Sequence, residues 1–168
     1  NPWVKATPKQ HDTPGKNITL AGVNFITKNF ISPAPNDNAI TGAYVPFNTT
    51  THKGQVIKGD TKCSGCILSA NPDGTDVKLV AWGLRHPYGA ALTADGKKLV
   101  INMNGVDERG SRNVANDGDK IYVIDISNHS NWGKWYGLPD FFGNGLPVTD
   151  PLLKSPLNNQ TLKFVMLD

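Results

Sequence analysis

At 168 residues the chain is long enough for one domain with a core of its own. Its net charge is +3 with Lys and Arg scattered, so it lacks the basic stripe of a nucleic-acid binder, and no apolar run approaches the ~20 residues of a membrane span. Glu108 is the only glutamate, 17 Gly and 12 Pro break helices, and Thr, Asn and Val are frequent, so an all-β, loop-rich fold is predicted.

Residues 1–53 read as an irregular N-terminal segment with early strands, one over 18–26 and a short one over 43–47. From residue 54 to 168 the pattern sharpens. A strand is predicted over 55–58. Strands at 67–70 and 77–81 flank the turn Asn71-Pro72-Asp73-Gly74, and strands at 88–93 and 98–102 flank Ala94-Asp95-Gly96-Lys97. Asp-Gly between apolar runs signals a hairpin, because the turn needs positive φ. A polar loop over 103–118 precedes a strand at 120–126, and a Trp- and Gly-rich segment covers 131–145.

This order suits a partial β-propeller. Strands 67–70 and 77–81 become the third and fourth of one blade, and 88–93, 98–102 and 120–126 the first three of the next. Both short turns then lie on one face and the long polar loops on the other, the asymmetry of a scaffold with one functional face. At about 40–50 residues per blade the chain supplies three to four blades. A β-sandwich is the alternative, since it too is built from short strands with frequent turns.

Several residues carry potential chemistry. Arg85 and His86 begin an innermost strand, where side chains face a propeller's axis. An arginine there can bind a carboxylate or quinone oxygen or brace carbonyls of the neighbouring blade, and His86 is a base, a stacking group or a structural residue. The loop holding Asp107, Glu108, Arg109, Gly110, Asn116, Asp117 and Asp119 offers carboxylates and carbonyls of the kind calcium takes, or a solvated loop pinned by Asp–Arg pairs with Arg109 and Arg112. Trp132, Trp135, Tyr136, Phe141 and Phe142 are a stacking wall or packing between blades. Cys63 and Cys66 are the only cysteines. They close a small disulfide loop in an oxidising compartment or remain free thiols, since the partners for a zinc site are missing and Ile67 stands where a haem motif needs His. Sequons at Asn17, Asn48, Asn128 and Asn159, with the cysteine pair, point outside the cytoplasm. The chain has no initiator Met and no signal peptide, as expected of a processed chain or a fragment.

The stretch 54–151 resembles the glucose/sorbosone dehydrogenase family. The motifs are Asn71–Gly74 followed by Gly83-Leu84-Arg85-His86-Pro87-Tyr88-Gly89, then Glu108-Arg109-Gly110-Ser111, Gly118-Asp119-Lys120-Ile121 and Tyr136-Gly137-Leu138-Pro139, with Cys63 and Cys66 placed as in sorbosone-dehydrogenase-like members. Three positions depart from the family pattern: His86 replaces Asn, Ser111 replaces Pro and Lys120 replaces Glu. The resemblance implies a six-bladed propeller, longer than this chain, that uses pyrroloquinoline quinone (PQQ) and calcium. It implies that Arg85, with His86 beside it, touches the quinone, and that the carbonyls of Gly110 and Ser111 and the carboxylate of Asp119 hold calcium. The family's catalytic histidine has no matching position here; His52 is the nearby upstream candidate and lacks the motif. The expected function is oxidation of a sugar hydroxyl or aldehyde outside the cytoplasm, with the remaining blades of the same propeller as partner. The rival is a secreted, non-catalytic binding or structural propeller.

Overall fold

The structure, a computed structural model, describes residues 11–29, 32–34, 36–106, 114–153, 155 and 162–167. The chain is all-β, and among the described residues its strands form small sheets of two or three, none of them closed. In chain order the strands are β1 (Ile18–Ala21), β2 (Asn24–Lys28), β3 (Asn38–Gly42), β4 (Lys53–Ile57), β5 (Ile67–Ser69) and β6 (Lys78–Trp82). They continue as β7 (His86–Leu92), β8 (Lys98–Asn104), β9 (Lys120–Asp125), β10 (Lys134–Trp135), β11 (Phe141–Phe142) and β12 (Leu146–Pro147).

The strand predicted over 18–26 is two strands. Gly22 turns the chain at φ +78°, and a Cβ there would collide with the backbone of Lys53. The two halves then go to different sheets: β1 pairs antiparallel with β4 and β2 pairs antiparallel with β3. The strand predicted over 43–47 is not formed. The strand ends at Gly42, and Tyr44 takes a left-handed φ of +58°, which an extended ladder cannot accommodate. Asn24 ties these segments together: its Oδ1 accepts from the Thr51 N–H at 2.7 Å and its Nδ2 donates to the Thr51 carbonyl at 2.9 Å.

Both Asp-Gly turns form hairpins. In the first, between β5 and β6, Gly74 (φ +81°) donates to the Asn71 carbonyl at 2.8 Å. In the second, between β7 and β8, Gly96 (φ +67°) donates to the Thr93 carbonyl at 2.8 Å. Thr75 and Thr93 cap Asp73 and Asp95 and hold both carboxyls below the usual carboxylate range. β9 joins β8 to complete the antiparallel order β7–β8–β9. Alternation along these strands turns Ile101 and Met103 of β8 and Ile124 of β9 inward. They pack with Val80, Ala81 and Leu84 into one core cluster, which joins this sheet to β6.

β6 was the expected outer strand of its blade, yet it is central, in the order β10–β6–β5. The tryptophan-rich segment takes its second edge: Gly133 donates to the Val80 carbonyl, Tyr136 to Trp82 and Leu138 to Gly83, at 2.8–2.9 Å. β10 runs parallel to β6, and the Trp135 ring lies 6.1 Å from that of Trp82. A second core cluster collects Leu20, Phe25, Trp82, Val114, Phe142, Val148 and Val165. Asp140, itself buried, holds residues 165–166 to it. Its Oδ1 accepts the Val165 N–H at 2.7 Å and its Oδ2 the Met166 N–H at 2.8 Å.

Asp140→Ala strands two backbone donors away from water and is expected to destabilise the fold by about 3 kcal/mol. Urea denaturation measures this, and amide exchange at Val165 and Met166 should accelerate with it. An Asp125→Ala control at an exposed turn should move the midpoint far less.

Candidate functional site

The approach to Arg85 is fixed by close backbone contacts. Gly83 (φ +73°) lies against the Trp135 indole, where a Cβ would overlap the ring. Trp135 is anchored in turn by its Nε1, which donates to the Leu138 carbonyl at 2.8 Å. Leu84 is buried, and its N–H donates to the Gly65 carbonyl at 3.0 Å. Arg85 follows, half-buried, with its backbone N–H on the Met103 sulfur at 3.1 Å. His86 is exposed and opens β7.

The strand register then decides what surrounds these residues. His86 stands opposite Asn104, and Met103 stands opposite Lys120. Arg85 and His86 are thus at the same end of the β7–β8–β9 sheet as the start and finish of the long loop, and the 94–97 turn is at the other end. Gly105 makes the loop possible by coming so close to Asp117 that a Cβ would strike its carbonyl oxygen. Its N–H donates to Asp119 Oδ1 at 3.0 Å.

Asp117 is the centre of this end. Its Oδ2 accepts the Val106 N–H at 2.7 Å and the Lys120 ammonium at 2.6 Å, and its Oδ1 accepts the Gly143 N–H at 3.3 Å. Lys120 also sits over the Phe142 ring, 5.9 Å from its centroid. Nothing in the sequence marks Asp117 as this hub. An Asp followed three residues later by Lys is common, and the third partner, Gly143, is remote in sequence.

Of the calcium ligands implied by the resemblance, Asp119 is exposed and one of its oxygens already accepts Gly105. Gly110 and Ser111 lie outside the described residues, as do Asp107, Glu108, Arg109 and Arg112. No group of three or more His, Cys, Asp or Glu side chains able to hold an ion comes together among the described residues. Calcium takes six to eight oxygens. With Asp117 occupied by three donors and Asp119 by one, the described donors do not fit that ion.

The other candidates fall elsewhere. His52 is exposed at the start of the β1–β4 sheet, with its Nδ1 3.2 Å from the Lys53 carbonyl oxygen. The aromatics pack on one another: Trp135 against Phe141 at 5.8 Å, Tyr136 edge-on to Tyr122 at 5.8 Å, and Trp132 against His129 at 4.1 Å. Asn17, Asn48 and Asn128 are all exposed, as a glycan acceptor must be, and Asn159 lies outside the described residues. No protein-family model, curated protein or solved structure matches the chain.

Cys63 and Cys66 are free thiols in this structure. Cys66 donates to the Cys63 carbonyl at 2.9 Å. Burial, helped by the neighbouring Cys66 thiol, pushes the Cys63 thiol up to about 12. The thiolate is the reactive form. In reduced protein at pH 8, iodoacetamide should therefore alkylate the less buried Cys66 at least about tenfold faster than Cys63, read by peptide mass. Equal rates would contradict the burial of Cys63.

Proposed function

We propose that the chain is part of an extracytoplasmic PQQ-dependent sugar dehydrogenase-like β-propeller, which oxidises a sugar hydroxyl or aldehyde. The observation that carries this reading is that Arg85 and His86 stand at the same end of the β7–β8–β9 sheet as Gly105, Val106, Asp117 and Asp119. Both short turns are remote from that end: β6 leads from the first turn toward Arg85, and β7 leads from His86 toward the second. A ligand-binding mouth built from long connections over a short-turned scaffold has this arrangement.

In this reading Arg85 supplies the cation and the planar donors that recognise a quinone or carboxylate oxygen. His86 and Asn104 stand opposite each other in the register at this same end of the sheet. The quinone, when bound, accepts the hydride equivalent taken from the sugar, and the protein's task is to place and polarise it. The remaining blades are the proposed partner. The outer face of the sheet supports this, for Ile121 is 72% and Val123 57% exposed there, and an adjacent blade would cover such apolar side chains.

A second reading, a non-catalytic secreted propeller, draws support from Lys120. The residue that departs most from the family pattern makes a close ion pair where the resemblance calls for an acidic side chain.

Purified full-length protein mixed with PQQ, with and without calcium, separates the two. The catalytic reading expects stoichiometric cofactor absorbance and dye reduction with aldoses. Arg85→Ala should weaken quinone affinity roughly 10- to 100-fold, the loss of one or two charge-assisted hydrogen bonds. Absence of quinone binding by the wild-type protein would leave the binding-module reading.

A further inference from the structure

We propose that Lys120 is a resident cation, which with Asp117 holds Val106 and Gly143 together without a bound metal ion. The side chains of Asp117 and Lys120 are only 2% and 9% exposed. A lysine so far from water is retained only when its charge is met. Here it is met at 2.6 Å by Asp117 Oδ2. The register explains why the ammonium points this way. Lys120 stands opposite Met103 and so shares the inward face of the sheet with it.

The same carboxylate gathers three parts of the chain. Val106 comes from the start of the long loop, Lys120 from the strand that follows it, and Gly143 from the aromatic segment. Packing enforces the grouping: a Cβ at Gly143 would lie 3.0 Å from Lys120 Cε. A divalent cation unites loop segments by drawing several carboxylates and carbonyls to one point. In this protein the carboxylate is the centre and the cation is covalently part of the chain. The pair is neutral as a unit. A calcium ion approaching Asp117 would have to displace the ammonium and two backbone donors.

The test is thermal unfolding of the purified full-length protein in EDTA and in excess calcium chloride, with Lys120→Met and the double variant Asp117→Asn/Lys120→Met alongside. Wild type should melt at the same temperature in both solutions. Lys120→Met leaves an uncompensated buried carboxylate and should melt about 10 °C lower. The double variant removes both charges and should recover part of that loss, as coupled sites do. Should Lys120→Met fail to fold, the wild-type comparison and the double variant still decide. A wild-type melting temperature that falls in EDTA and returns with calcium would overturn the proposal. So would a Lys120→Met protein that melts with wild type, or a double variant no more stable than the single one. None of these readouts involves the quinone, so a failure here is distinct from a failure of the dehydrogenase reading.

Discussion

The Asp117 carboxylate is the constraint on which the site depends. A charge taken out of water at this depth is tolerated only if its oxygens are met by donors. Three are supplied, and each comes from a different stretch of chain. Such an arrangement says little about net stability, since buried pairs often do no better than well-packed apolar groups. Its consequence is geometric. The loop cannot shift at Val106 without exposing a backbone N–H to an apolar surrounding, and Lys120 cannot shift without losing its counter-charge. The two ends of the long loop are therefore held together at this carboxylate.

Asp117 is one instance of a wider device. Two- and three-stranded sheets leave much of the backbone outside any ladder, and every buried N–H in those stretches needs another acceptor. Asn24 supplies one for Thr51, Asp140 supplies two for Val165 and Met166, and Asp119 supplies one for Gly105. Polar side chains thus do for the loops what cross-strand bonds do for the strands. The frequent Asn and Asp of this sequence are in part the acceptors that a fold of small sheets requires.

This also marks where the sequence was legible. The two Asp-Gly hairpins and the strands beside them could be read to within a residue or two, because a positive-φ turn and a period-two apolar pattern are local signals. That Arg85 and the two ends of the long loop share one end of the sheet was readable too, since it follows from counting strand directions. What could not be read is most of the pairing between segments remote in the chain, the β8–β9 pair excepted. Nothing local tells β1 to pair with β4, or Trp135 to leave its neighbours and lie parallel to β6. The break at Gly22 depends on the approach of Lys53, which is 31 positions away. The role of Asp117 was hidden for the same reason.

The identity of the cation then bears on how the proposed site would work. A bound metal can serve two duties at once: it cross-links the loops around it, and its open coordination positions can polarise a ligand. An ammonium whose charge is turned inward to Asp117, over the Phe142 ring, can perform the first duty and not the second. In a site closed this way, polarising a quinone oxygen would fall to Arg85, on the other side of the ladder. The two functions, joined in one ion elsewhere, would be divided between two side chains. Loss of Lys120 would then loosen the segments gathered at Asp117, whereas loss of Arg85 would remove the cation proposed to meet the quinone.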